Sequence, residues 1–400
     1  MISVTEAEQR ILSHLSPLES ILLPITQLAA HILREPCYAD RPYPPFHRVA
    51  MDGIAIKNDQ ARRHWPIQTL QKAGEEPKIL SSDAFCIEIM TGAKLPEACD
   101  TVIRYEDLEL RDGIAYLKPG VELKVGAHIH RKGADCAQNA RLIESDRRIT
   151  APLAGILAAI GKAQVRVTRL PRVAIISTGD ELVSVEEQAA SHQIRASNAS
   201  ALREALGSLG IYDCQCLRVA DQVELMRETF AQALASHDVL LITGGVSAGK
   251  LDFVPQILHS LQVTEIFHKV RQKPGKPLWF GVGKNQQTVF GLPGNPQSAL
   301  VCFIRYVEPA LRTLMSRKSP AYRLCAKLMT APYTKPSQLT QFVPVRVSQG
   351  QDAALQAYTL AHQGSGDFVA LADSDGVLEL AEMQAFEEGR AYPLYLWQSL

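Results

Sequence analysis

Apolar positions along the chain fall into two textures. Residues 1–34 carry them at helical spacing, with breaks near Pro17 and Pro24. The apolar run 21–33 is interrupted by Pro24, Gln27 and His31, so it predicts an amphipathic helix and not a membrane span. A proline-rich connector follows, EPCYADRPYPPFHR, which is extended by its chemistry. From Met51 to about Ala140, short apolar runs lie between Gly, Pro and Asp, as in a small β domain. APLAGILAAIG, 151–161, returns to helical periodicity and ends at a glycine stop.

The second texture begins at RVAIIST, 172–178, a continuous apolar run that suits a buried parallel strand. SNASALREALGSLG predicts a helix with Ser197 or Asn198 as N-cap and Gly210 as stop. DCQCLRVA reads as a strand, VELMRETFAQALASH as a helix and DVLLIT as a strand. This alternation predicts a doubly wound α/β domain over roughly 170–317. The tail from Ser319 onward reads as short strands and turns, a further β domain, and no internal repeat or low-complexity tract is present.

Composition adds exclusions. A length of 400 residues predicts two to four domains. Forty-two Lys plus Arg balance 42 Asp plus Glu, which argues against a nucleic-acid partner. The eight cysteines show no C-x-x-C and no zinc-type spacing; Cys214 and Cys216 read as packing residues on one strand face. Reduced thiols and the lack of a signal-peptide pattern predict a cytoplasmic protein without membrane association.

The chemistry gathers at predicted strand ends, where open α/β sheets bind ligands. STGDEL offers Thr178, Gly179, Asp180 and Glu181; TGGVSAGKLDF offers Gly244, Gly245, Ser247 and Asp252. RQKPGKPLWFG places Lys273 and Lys276 around Pro274 and Gly275, and VFGLPGNPQSALVCF is strand, turn and helix, with Asn295 suited to the N-cap and Pro296 to the first helical position. GGVSAGK matches a Walker A loop except that Leu251 stands where a Mg2+-binding hydroxyl is needed. Gly-rich turns and lysines grip phosphate or another oxyanion, while Asp180, Glu181, Asp221 and Asp252 are hard oxygen ligands for Mg2+. The combination points to Mg2+-dependent phosphoester chemistry. Each piece also has a plain reading: T-G-D-E as a turn and helix cap, K-P-G-K-P as a rigid exposed turn, G-N-P as a helix entry, Asp221 as an N-cap. Those readings leave unexplained why all fall at one end of one sheet.

Taken together, these loops resemble the molybdopterin molybdenumtransferase family, the MoeA-type enzymes similar to the C-terminal domain of gephyrin. The resemblance runs through AMDGIAI, IMTGAKLPEACDTVIRYED, GAD, STGDEL, Ser197-Asn198, GGVSAGKLD, KPGKP and GLPGNP, in order over about 300 residues. It implies an α/β and β multidomain fold: an elongated discontinuous domain (1–45 and 141–169), an inserted β domain (46–140), a doubly wound molybdopterin-binding α/β domain (170–317) and a C-terminal β domain (318–400). It also implies a homodimer whose active site lies between the α/β and C-terminal domains of one subunit and the inserted domain of the other. The implied reaction takes adenylylated molybdopterin and molybdate, inserts molybdenum with help from Mg2+, and releases AMP. An adenylyltransferase and cofactor-accepting proteins are the implied neighbours.

Carried over onto this chain, Asp52, Thr91 and Asp135 match acidic and hydroxyl positions needed for activity. Glu181, Asp221 and Asp252 match residues that line the α/β pocket and hold Mg2+ or orient the nucleotide. Lys269, Lys273 and Lys276 match basic residues that receive molybdate and phosphates; Pro293 and Pro296 shape the adjoining loop, and Ser365 matches a C-terminal site residue. Departures from the family pattern are Ile54 for an aromatic, Ala134 for an acid, His130 for an arginine, and Gln222 after Asp221. On this reading the Walker match is accidental: Asp252 matters and Lys250 is dispensable. Two further readings are a non-catalytic scaffold or cofactor carrier of the same fold and a related adenylyltransferase, and the roughly 250 residues beyond one α/β domain oppose the latter.

Overall fold

The computed structural model describes residues 1–246, 253–317, 324–332, 337–360, 367 and 369–398. Its backbone divides into two compact units, Glu35–Val165 and Met1–Arg34 together with Arg166–Leu400.

The N-terminal stretch is less helical than its spacing predicts. Helix α1 spans Val4–Ser13, with the Ser3 hydroxyl accepting the Glu6 N–H at 3.1 Å as its cap. Val4, Ala7 and Ile11, at helical spacing, bury its apolar face. The predicted helix over 21–33 does not form. Ser20–Pro24 and Ile32–Leu33 are strands joined through a single 3-10 turn, Ile25–Gln27. Both flank the strand Gln164–Thr168, with Val167 opposite Leu33. Pro24 cannot continue a helix, and the sheet partner arrives from more than 130 residues away, which local spacing does not register. Among the described residues no helix is long and apolar enough to cross a membrane.

The unit 35–165 is built on a six-stranded sheet in the order Thr101–Arg104, Gly53–Ile56, Cys86–Ile89, His64–Gln71, Ile114–Leu117, Leu108–Arg111. Gly53–Ile56 is buried on both faces: Ala55 joins one core with Val49, Ile87 and Val102, while Ile54 and Ile56 join another with Trp65 and Ile103. Helix α2, Ala151–Ala159, forms as predicted, and Gly161 takes φ +73° after it. Although α2 is apolar nearly throughout, Leu157 is its one buried residue.

In the other unit, a six-stranded sheet runs Cys214–Val219, Val173–Thr178, Val239–Thr243, Thr288–Leu292, Trp279–Val282, Thr264–His268. The first four strands are parallel, and Trp279–Val282 is antiparallel to both of its neighbours, Thr288–Leu292 and Thr264–His268. Helix α3, Ser197–Ser208, packs on one face with α1, α6 (Pro296–Cys302) and α7 (Glu308–Leu314); α4, Val223–Ser236, and α5, Val254–Ser260, cover the other. This is the doubly wound layer predicted from sequence, with an antiparallel edge added. Neither predicted residue caps α3: Ser197 is its first helical residue, and Ala196, whose methyl group cannot accept a hydrogen bond, occupies the cap position. Gln222, not Asp221, is the cap position of α4.

The tail forms a β-barrel. Its sheet order is Gln272–Lys273, Thr340–Gln349, Leu355–Thr359, Cys325–Leu328, Ala391–Leu396, Gly376–Leu380, and Gly376–Leu380 pairs back onto Thr340–Gln349. One of its strands, Gln272–Lys273, thus comes from within the α/β segment, parallel to Thr340–Gln349. Phe342 and Val377 join the α/β core. Buried Arg305 bonds Glu8 at 3.0 Å and Glu379 at 2.9 Å, so one guanidinium ties α1, the helical segment and the tail together.

Candidate active site

A cavity of about 470 Å³ opens at the carboxyl ends of the parallel strands. Thr178, Thr243 and Leu292 end three adjacent strands, and the loops after them form its walls. Gly244 and Gly245 have φ of +93° and +63°, and a Cβ on Gly244 would lie 2.7 Å from the Thr178 carbonyl oxygen. Only glycine lets the chain turn this tightly against the neighbouring strand. Asn198 donates from Nδ2 to the Gly294 carbonyl at 2.8 Å, so the start of α3 braces the G-N-P turn. Pro296 opens α6 as predicted, while Asn295 occupies the cap position without a side-chain capping bond.

Thr178, Gly179, Glu181, Asp221, Gly244, Gly245, Pro293, Asn295 and Pro296 all line this one cavity. Asp180 does not: its carboxylate accepts the Asp221 N–H at 3.0 Å and fastens two loops together. Lys269, Lys273 and Lys276 also lie off the wall, although Pro277, one residue on, is part of it. Lys273 and Lys276 are exposed and flank the buried Pro274 and Gly275. Arg195 is the one cation among the described lining residues, and sequence reasoning missed it. Its Nε donates to the Val185 carbonyl at 3.2 Å, which anchors one edge of the guanidinium. The available signal was its place two residues before Ser197-Asn198, read only as a helix start. Ser247, Lys250, Leu251, Asp252 and Ser365 lie outside the described residues.

Asp52, Thr91 and Asp135 belong to the unit 35–165. Asp52 accepts the Thr91 backbone N–H at 2.6 Å, and that bond holds its carboxyl below the usual carboxylate range. Asp135 is held by His130, whose Nε2 lies 2.8 Å from the carboxylate while Arg48 reaches Nδ1 at 3.1 Å. A guanidinium only donates, so Nδ1 is the acceptor and Nε2 carries the proton given to Asp135. The histidine that departs from the family pattern therefore still grips the acid.

No group of three or more His, Cys, Asp or Glu side chains that could hold a metal occurs among the described residues. Glu181 and Asp221 nonetheless bring two hard oxygen donors to one wall, a set that suits a hydrated Mg2+ ion.

A doubly wound sheet with carboxylates, a guanidinium and glycine turns around one strand-end cavity is the architecture of a binder of anionic ligands. Three stretches match described families: the MoeA N-terminal region (domain I and II) over residues 2–161, a probable molybdopterin binding domain over 174–313, and the MoeA C-terminal region (domain IV) over 327–397. A molybdopterin molybdenumtransferase from Synechocystis sp. is 37% identical over 402 residues, covering 99% of this chain and 100% of its own. One from Bacillus subtilis is 29% identical, covering 99% and 94%. A crystal structure of a molybdopterin biosynthesis MoeA protein from Pyrococcus horikosii superposes with a TM-score of 0.79 at 28% identity, covering 100% of both chains. The chain belongs to the molybdopterin molybdenumtransferase (MoeA) family.

Proposed function

We propose that this protein is a transferase of molybdenum cofactor biosynthesis that inserts molybdenum from molybdate into adenylylated molybdopterin, with Mg2+-dependent release of AMP. The observation that carries this reading is the strand-end cavity bearing Glu181, Asp221 and Arg195 beside the two-lysine loop, in a chain of this family. The substrates are anions, so their encounter is electrostatically unfavourable until cations and oriented N–H groups are in place. Arg195 orients the nucleotide phosphates, and Lys269, Lys273 and Lys276 receive molybdate. A Mg2+ ion held by Glu181, Asp221 and Asp252 would offset charge on the AMP leaving group. Holding both substrates at reacting distance supplies much of the remaining acceleration.

The same reading takes the chain as four domains (1–45 with 141–169, 46–140, 170–317, 318–400) in a cytoplasmic homodimer, with Asp52, Thr91 and Asp135 completing the site of the partner subunit. The apolar, largely uncovered surface of α2 supports a second copy as its cover. Ala134 and His130 are the departures that would favour a non-catalytic carrier, but His130 keeps the acid engaged.

The test is direct. Purified protein given molybdate, Mg2+ and adenylylated molybdopterin should release AMP and yield cofactor that activates an apo-molybdoenzyme. Lys273→Ala and Lys276→Ala should each raise the molybdate KM about tenfold or more. Binding of the pterin by calorimetry with no AMP above a no-protein control would establish the carrier instead.

A further inference from the structure

The two exposed lysines of the K-P-G-K-P loop stand on a buried polar cluster whose members carry no role in the sequence reading of the site. Gln272, Cys302 and Tyr306 are each 1% exposed or less. Cys302 ends α6, and Tyr306 lies in the π-helical turn Phe303–Val307 that joins α6 to α7. The Gln272 amide donates from Nε2 to the Pro274 carbonyl at 3.0 Å and lies 3.6 Å from the Cys302 sulfur. Its Oε1 accepts the Tyr306 hydroxyl. The Cys302 thiol points to the Gly275 carbonyl at 3.7 Å. Because the Pro274 carbonyl only accepts, Nε2 must face it, and Oε1 is left for the tyrosine.

Both carbonyls between Lys273 and Lys276 are therefore gripped from inside the protein. Outside the loop, the Val270 N–H donates to the Lys276 carbonyl at 2.9 Å, and Gln272 and Lys273 pair with Thr340 and Gln341 of the barrel. Gly275 has φ +91°, and a Cβ there would lie 2.5 Å from Gln272 Nε2 and 2.7 Å from the Cys302 sulfur. Burial pushes the Cys302 thiol and the Tyr306 hydroxyl up, so both remain protonated donors and neither is a nucleophile. Apolar side chains of similar volume would fill this space without the cost of burying polar atoms. What they could not do is hold two particular carbonyls.

We propose that Gln272, Cys302 and Tyr306 are positioning residues that set the separation and direction of Lys273 and Lys276, and through them the geometry of the bound oxyanion. This rests on the reading that these lysines receive molybdate. Misplacing a charged group by a fraction of an ångström weakens its grip on a small dianion more than it weakens contacts with a large substrate.

Four variants of the full chain test it, each assayed for molybdate KM, pterin KM, kcat and melting temperature. Tyr306→Phe keeps the ring and removes the donor; it should raise the molybdate KM about tenfold and leave the pterin KM within about twofold. Cys302→Ala should raise the molybdate KM, and Cys302→Ser, which keeps a donor, should restore most of it. A lower melting temperature with unchanged molybdate KM in both Tyr306→Phe and Cys302→Ala would overturn the proposal. The Lys273→Ala, Lys276→Ala double variant separates the two ideas. If it leaves molybdate KM unchanged, the lysine reading fails and the positioning role with it. If it raises KM while Tyr306→Phe and Cys302→Ala do not, the positioning role alone fails.

Discussion

His130 shows how a side chain that departs from a family pattern can still serve the same acid. Its ring stands between a guanidinium and a carboxylate, with Arg48 at 3.1 Å and Asp135 at 2.8 Å. The departure was visible in the chain; the bond was not, because Arg48 lies 82 residues before the histidine. His130→Leu removes the donor to Asp135 and should lower kcat/KM about tenfold, equivalent to about 1.4 kcal/mol. His130→Gln, which offers an amide N–H, should recover part of the loss. Equal activity in His130→Leu and the wild type would remove Asp135 from the set of side chains that must be held. Asp52 was likewise legible as an acid before a glycine, whereas its bond to the Thr91 N–H comes from a loop 39 residues away. Arg195 went unnoticed for a related reason: a single arginine before a helix carries no pattern until the cavity shows where it stands.

Elements with continuous apolar runs were the most legible. Val173–Thr178 and Val239–Thr243 are buried along their whole length, and a strand covered on both faces favours a near-continuous apolar run, here broken only at the site end by Ser177, Thr178 and Thr243. The stretch 21–33 failed because its apolar spacing suits a helix and a pair of short strands alike, and a distant partner decided between them. The glycine of MDG illustrates the same dependence. Gly53 starts a central strand, and a Cβ there would collide with the Ile103 carbonyl oxygen of the neighbouring strand. Backbone cannot move aside as a flexible side chain can. Gly53→Ala should therefore destabilise the unit 35–165 by about 3 kcal/mol, read as a shift in its urea midpoint. A shift below about 0.5 kcal/mol would mean that the strand relaxes more freely than its two-faced burial implies.

At the scale of the whole molecule, the site residues divide between two units of the chain: Glu181 and Asp221 in one, Asp52, Thr91 and Asp135 in the other. If the homodimer shares its sites, Asp52→Ala and Glu181→Ala should each be inactive alone. Mixed after proven subunit exchange, they should regain about a quarter of wild-type activity, since half the dimers are hybrids and each hybrid holds one intact site. No recovery would place the complete site within a single subunit.

Local periodicity and residue type were enough to set out the alternation of strands and helices and the strand-end loops with their acids, lysines and glycines. Tertiary structure alone decided that Gln272–Lys273 serves as a barrel strand, that Asp180 fastens a loop while Glu181 faces the cavity, that Arg195 supplies the cation on its wall, and that three buried polar side chains stand beneath the lysine loop. Each of these is a relation between segments far apart in the chain. Hydrogen bonds and excluded volume act on distance in space, which residue order does not encode until the chain has packed.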